Sequence, residues 1–321
     1  MKQYFAVVSV LFGVSGVSVA HDVEVPSTIE NFPLDQVSQR IRVVHGPLAL
    51  PNPKNRGFMN NPGAILTKNG VIIVDPGSSR EIGKQLLKKI RTVSDKPIIA
   101  VFNTHVHGDH WLGNDGIREF YPKVPIYAHE RAIERVNGGE GEFWISVFSR
   151  MTDGATAGTK VTAPNIGLKG GETLKIDDVT LRIYHLGQAH SDNDLMIELV
   201  DDKGLFFGDV VVASHVPNSD VPQDASFKGT IFAIETMLKG PDVVFVPGHG
   251  RSGGKEVPES TLRFLQTLTA SVTRYFKQGL QDYEMKDKVI DEMKEYRSWH
   301  NFNEMGRVIS YVYKEVERDN F

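Results

Sequence analysis

Three imidazoles and a carboxylate fall within six residues in Asn103-Thr104-His105-Val106-His107-Gly108-Asp109-His110, directly after the apolar run 97–102. Neutral imidazole nitrogens and carboxylate oxygens are the ligands that a divalent metal of intermediate softness prefers. In an extended segment His105 and His107 project to one side. A turn after Gly108 then aims Asp109 and His110 at a second point a few Å away. The spacing suggests two metals rather than one. Further along, His190 stands in Gly187-Gln188-Ala189-His190-Ser191-Asp192-Asn193-Asp194, Asp209 in Phe207-Gly208-Asp209-Val210, and His249 in Pro247-Gly248-His249-Gly250. Each is expected just past a strand and beside a glycine, where a scaffold carries its functional loops. A single loop histidine is ordinarily a solvated residue; the whole set, in this order, is poorly explained that way.

The elements that must position these groups follow from the pattern. Residues 64–67 and 71–74 read as strands joined by Lys68-Asn69-Gly70, a hairpin turn signal. Residues 81–93 carry helical spacing at Ile82, Leu86, Leu87 and Ile90, and 98–102 read as a buried strand ending at the metal cluster. A second half repeats the style, with strands at 174–176, 179–184, 195–199, 205–207 and 243–246 and a helix at 230–239. An amphipathic helical tail follows from about residue 257. Two β-rich halves, each covered by helices, predict an α/β fold, a four-layer αββα sandwich with a helical C-terminal extension. The expected organisation is 1–20, 21–255 for the sandwich, and 256–321 for a helical region packed on the same domain.

Residues 1–20 read as a secretory signal peptide: Met1-Lys2, an apolar run over 4–14, and small residues leading to Ser18-Val19-Ala20. The run is short and diluted by Gly and Ser, so no stable membrane span is expected after cleavage. The expected location is periplasmic or secreted. The chain has 321 residues and no cysteine, so an exported form relies on its core and its metals rather than on disulfides. Thiolate is also excluded as ligand or nucleophile. A formal net charge of -4 gives no basic footprint for nucleic acid. The expected partner is a small-molecule substrate, and nothing in the sequence specifies an oligomeric state.

Over 64–250 the chain resembles the metallo-β-lactamase superfamily of metal-dependent hydrolases, through the HxHxDH run together with His190, Asp209 and His249. The resemblance implies a binuclear site at the edge of the sandwich. His105, His107 and His190 look like ligands of the first metal. Asp109, His110 and His249 look like those of the second, with Asp209 bridging both. Asp75, in Val74-Asp75-Pro76-Gly77, matches the family's strand-end aspartate; it orients a ligand by hydrogen bond or merely initiates a turn before proline. The implied cofactors are two divalent ions, zinc first and iron or manganese as alternatives. Two cations about 3.5–4 Å apart share a water and lower its pKa toward neutrality. Hydroxide bridging the metals then attacks, with Asp109 as the catalytic group that orients it.

The superfamily is broad, and fold does not fix substrate. An aspartate at 209 departs from the Cys or Ser of the β-lactamase branch and looks like the glyoxalase II, lactonase, arylsulfatase and phosphodiesterase branches. The wording of the two histidine motifs is closest to exported metallo-hydrolases of sulphur-oxidation and quinoprotein systems. The leading expectation is an exported zinc hydrolase of a small ester, thioester, lactone or sulfate ester. The alternatives are a β-lactamase-type amide hydrolase, a mononuclear iron persulfide dioxygenase on His105, His107 or His110, His190 and Asp209, and a non-enzymatic zinc-binding protein. Phe58 and Met59, in the Pro- and Asn-rich loop 51–59, are expected as pocket contacts. His215 reads as a loop histidine or as a pocket residue, and Trp111 as packing beneath the metal loop. Phe143, Trp144 and Phe148 read as core or as an apolar substrate wall, and His129 and His185 as structural.

Overall fold

The hairpin predicted at Lys68-Asn69-Gly70 forms, with β3 (Gly63–Leu66) antiparallel to β4 (Val71–Val74). It sits within a seven-stranded sheet that begins with β1 (Asp35–Gln36) and β2 (Ile41–Val43) and continues through β5 (Ile98–Phe102), β6 (Ile126–His129) and β7 (Ile166–Leu168). Pairing is antiparallel from β1 to β4 and parallel from β4 to β7. A second sheet of five strands contains β8 (Thr173–Ile176), β9 (Val179–Tyr184), β10 (Met196–Leu199), β11 (Gly204–Val212) and β12 (Val244–His249), ordered β12-β11-β10-β9-β8. Only β11 and β12 run parallel there. The computed structural model describes residues 28–217 and 224–320; the expected signal peptide at 1–20 lies outside the described residues.

The two sheets bury their facing sides against each other, with Ile41, Ile65, Ile72, Val74 and Phe102 from one meeting Leu181, Ile183, Ile197, Phe206 and Val246 from the other. Outside the first sheet lie α1 (Arg80–Ile90), started by the Ser79 side chain accepting from the Ile82 amide, then α2 (Gly108–Trp111) and α3 (Asn114–Phe120). Ile82, Leu86 and Ile90 of α1 join Ile117 of α3 over Val71, Ile73 and Val101. After α4 (Glu130–Arg135) and α5 (Gly141–Met151), the second sheet is covered by α6 (Phe227–Leu238), α7 (Glu256–Lys277), α8 (Asp282–Glu292) and α9 (Met305–Asn320). Phe264, Leu268, Met285, Val308 and Ile309 of these helices share one core with Phe207 and Phe245 of the sheet. The result is an α/β sandwich of two helix-covered sheets, with the helical tail built onto its second outer face.

This layering decides where chemistry is placed. Strands β4, β5 and β12 all end at the same rim, and their carboxyl ends lead into Asp75, the HxHxDH run and His249. Open α/β sheets bind ligands there. One expectation is corrected at β11: Asp209 does not follow the strand but lies within it, in the nine-residue element Gly204–Val212. The pairing with β12 shifts register between Phe206 and Gly208 and again between Gly208 and Val212, with Gly208 at φ +54°. A bulge of this kind re-aims a side chain without ending the strand.

Candidate metal centre

Three of the imidazoles in the cluster, those of His105, His110 and His249, are aimed by a neighbour at the other ring nitrogen. The His105 Nδ1 lies 3.0 Å from Thr104 Oγ1, and that hydroxyl donates to Asp75 Oδ2 at 2.7 Å. The Thr104 amide donates to Asp75 Oδ1 at 2.8 Å, and His110 Nδ1 donates to Asp75 Oδ2 at 2.8 Å. One carboxylate thereby orients His110 directly and His105 through Thr104. Asp75 holds φ +52°, a backbone state that aspartate tolerates better than most residues and that is kept where surroundings over-determine it. Its contacts are those of a residue that orients two neighbouring imidazoles. On the opposite side His249 Nδ1 donates to the Met59 carbonyl at 3.0 Å. Trp111 is buried beneath the loop and its Nε1 donates to the Val106 carbonyl at 2.8 Å.

With those atoms occupied, the remaining ones converge. Nitrogens of His105, His107 and His190 lie within 4.8 Å of one another, as do ligand atoms of Asp109, His110 and His249, and of His105, His110 and Asp209. His190 Nε2 faces His107 Nδ1 at 2.9 Å. Asp209 Oδ1 is 3.2 Å from His110 Nε2, while its Oδ2 is 3.3 Å from His249 Nε2 and 3.6 Å from His190 Nε2. Asp109 Oδ2 is 3.2 Å from His249 Nε2 and 3.3 Å from His110 Nε2. Asp209 is thus the carboxylate that touches both groups. His105 Nε2, His110 Nε2 and Asp209 Oδ1 are buried with no hydrogen-bond partner. Buried polar atoms are rarely left so. Borderline-soft nitrogen with two carboxylates is a donor set suited to divalent cations, so these clusters are able to hold metal.

The charge distribution divides the same way. Burial pushes His105 well below its ordinary pKa, His107 down to about 4 and His190 down to about 3. Burial also opposes charge on His249 and His110. There the carboxylates win: Asp209 and Asp109 hold His249 up at about 10, and Asp109, Asp209 and Asp75 hold His110 well above its usual value. Burial disfavours charge on Asp109 and Asp209 too, but His110 and His249 keep both well below the carboxylate range.

The metal-free protein therefore has a signed pH dependence. Histidines depressed to about 4 or below in the folded state (His107, His190, His129, His215) contribute stability above pH 6.5, their unfolded value, and lose it as pH falls toward 4. Asp194, raised by burial to about 7, works the other way, but it is one group against four. His110 and His249 are protonated in both states below pH 6.5 and leave this slope untouched. Urea unfolding of metal-free protein is expected to show stability falling by at least about 1.4 kcal/mol per pH unit between pH 6 and 4. A flat or rising profile contradicts the neutral-imidazole assignment.

Asp75→Asn keeps the shape of the side chain and removes the charge that orients two ligands. The expected result is about 10–100-fold weaker metal binding with the fold retained, read by competition against a chromogenic chelator and by circular dichroism. Unchanged affinity would reduce Asp75 to a turn residue.

Around the cluster, the structure places some residues as expected and others not. Met59 and His215 line the pocket above the site, and His215 is buried, not a solvated loop residue. Its Nε2 is 3.2 Å from Asn301 Nδ2, a group supplied by the helical tail. Phe58 is a correction: it is fully buried, edge-on to Phe32, in the core beneath α1. The Pro- and Asn-rich loop suggested a pocket contact, but Asn55 is buried and accepts from the Asn52 and Gly57 amides, and Phe58 follows it into the core. Trp144 and Phe148 serve both roles considered for them, packing in a small core and lining the pocket, while Phe143 faces outward. His129 and His185 pack against each other away from the cluster, with ring centroids 4.3 Å apart and planes tilted by 39°. Sequence reasoning missed Thr104, whose only signal is its place beside His105. It also missed Arg135, paired with Glu140, Asp192 and Asp224.

Over residues 55–249 the chain matches the family model of the metallo-beta-lactamase superfamily. It is 25% identical over 264 residues to a linear primary-alkylsulfatase of Pseudomonas sp., covering 70% of this chain and 49% of that protein, so it spans about half that relative's length. It is 26% identical over 212 residues to a probable metallo-hydrolase of Streptococcus pyogenes, covering 62% and 79% of the two chains. Among solved structures, a metallo-beta-lactamase from Pontibacter korlensis has a TM-score of 0.58 at 21% identity, covering 73% of this chain and 99% of that one. A double mutant of the sec-alkyl sulfatase PisA1 has a TM-score of 0.68 at 17% identity, covering 88% of this chain and 50% of that one. At such identities the structures carry the fold alone. The family model takes in more than half of the chain, and the chain belongs to the metallo-beta-lactamase superfamily.

Proposed function

We propose that this protein is an exported, zinc-dependent hydrolase that holds two divalent metal ions and cleaves a small ester, thioester, lactone or sulfate ester. The observation that carries the reading is the position of Asp209, within 3.6 Å of ligand nitrogens from both histidine groups. His105, His107 and His190 would hold one ion, Asp109, His110 and His249 the other, and Asp209 both. Two bound dications supply a water of lowered pKa and an electrophile with a polarised oxygen. The chain's own part is to orient and to exclude water. Asp109, whose Oδ2 lies 3.2 Å from His249 Nε2, would also accept a hydrogen bond from the attacking water and so orient it. His215, its Nδ1 donating to the Val216 carbonyl at 2.6 Å and its Nε2 facing Asn301 Nδ2 at 3.2 Å, forms part of the pocket wall. Trp144 and Phe148 shield the reacting atoms from bulk water. Export rests on the pattern of residues 1–20.

The test is metal analysis of protein isolated without added metal, followed by a panel of chromogenic esters, thioesters, lactones, sulfate esters and a β-lactam. About two zinc ions per chain with turnover of at least one ester class supports the reading. One iron per chain with oxygen uptake on a persulfide moves the assignment to a dioxygenase. Metal-replete protein inert to the whole panel removes the hydrolase reading.

A further inference from the structure

Beyond the metal ligands and His215, the pocket is lined by apolar side chains alone, among them Leu50, Met59, Trp144, Val147, Phe148 and Met151. Among the described residues no lysine or arginine lines it. The guanidinium that acts on His107, Arg135, is already held by three carboxylates: Glu140 at 2.6 Å, Asp192 at 2.9 Å and Asp224 at 2.5 Å. Glu140 also accepts from Trp144 Nε1 at 3.2 Å, so the charge behind the aromatic wall is net negative. The mouth is apolar as well. Leu50 is 45% exposed and Met151 36%, and Phe143, 53% exposed, packs edge-on to Trp144. Large apolar groups gathered at a rim mark a binding surface.

From this we infer that the non-reacting part of the substrate is an uncharged alkyl or aryl group, and that a second anionic group on the substrate is rejected. Charge at the reacting bond is met by the metal cluster. A carboxylate carried on the substrate against the buried Trp144 and Phe148 would meet no lysine or arginine among the described lining residues, and burying an unpaired charge is costly. Carboxylate-bearing β-lactams and glutathione thioesters therefore fit this pocket badly, while esters with a hydrocarbon tail fit it well. The inference narrows the substrate class of the hydrolase reading and rests on it for chemistry, but not for recognition.

Two arms keep the claims apart. Metal-replete protein is assayed on p-nitrophenyl butyrate, p-nitrophenyl octanoate and an octanoate analogue ending in a carboxylate. kcat/KM is expected to rise by up to about fourfold per added methylene. It is expected to fall by at least about a hundredfold with the terminal carboxylate. In the second arm, binding of a neutral alkyl trifluoromethyl ketone and of its terminal carboxylate is measured by calorimetry, with the same preference expected. Met151→Lys, which sets a cation on the wall, is expected to narrow both ratios at least about tenfold. Charged and neutral probes bound or cleaved within about threefold of each other overturn the inference and leave the hydrolase intact. So does failure of the neutral ketone to bind. Selective binding of the neutral ketone, with the whole panel of esters, thioesters, lactones and sulfate esters left uncleaved, keeps the inference and removes the hydrolase.

Discussion

Asp209→Ala is expected to lower turnover by at least about a thousandfold and to weaken binding at both metal positions, not at one. The side chain contributes two oxygens to two groups: Oδ1 sits 3.2 Å from His110 Nε2, and Oδ2 sits 3.3 Å from His249 Nε2 and 3.6 Å from His190 Nε2. Unit charges about 4 Å apart interact by about 4 kcal/mol at an effective dielectric of 20, and two dications repel roughly four times as strongly. A shared anion offsets that repulsion. With Asp209 gone, Asp109 is the one carboxylate left among the ligands, and it faces only the second group. His249→Ala, by contrast, is expected to empty the second position while the His105, His107 and His190 group keeps its ion. Metal content by mass spectrometry, measured beside turnover, separates the two variants. An Asp209→Ala protein that keeps two ions and full activity removes the bridging assignment, and with it the case for a binuclear centre.

The pattern of what could be read beforehand has a physical cause. The HxHxDH run is local: its spacing, its strand and its turn lie within a dozen residues, so composition and periodicity suffice to find it. The two helix-covered sheets were legible for a similar reason, since the Asn-Gly hairpin, the stripe on α1 and the long amphipathic tail each declare themselves in a short window. Asp209 was legible as a chemical group and not as a position. Whether a strand ends or bulges at Gly208 depends on its pairing with β12, some forty residues away, and no local pattern records it. Phe58 was misread because Pro and Asn report loop conformation and say nothing of which way a loop folds. The ion pairs of Arg135 with Asp192 and Asp224 span 57 and 89 residues, so their partners become neighbours only in the fold. The strand Ile166–Leu168 also had no visible signature, being a short edge element held by one neighbour, β6.

Gly248→Ala carries the second large effect, although glycine ligates nothing. A Cβ built at this position falls 1.9 Å from Asp209 Oδ1, 2.8 Å from the Gly208 carbonyl carbon and 3.0 Å from the Asp209 amide nitrogen. Two of those three neighbours are backbone, so the clash is not relieved by swinging a flexible chain end aside. The carboxylate must rotate away from His110 and His249, or β11 and β12 must part where Gly208 opposes Pro247. Gly208 has no room to retreat, because it lies against Thr104, the residue that relays Asp75 to His105. Overpacking of this kind costs about 1–3 kcal/mol in stability. A bridging ligand moved by about 1 Å costs on the order of a hundredfold in rate. The expected variant is folded, a few degrees less stable, depleted in metal, and at least about a hundredfold slower. Gly138→Ala is the matched control, since a Cβ there meets nothing within 4 Å. Gly248→Ala with normal metal content and activity would mean that the Asp209 carboxylate tolerates displacement, and a carboxylate free to move is not clamped between two cations.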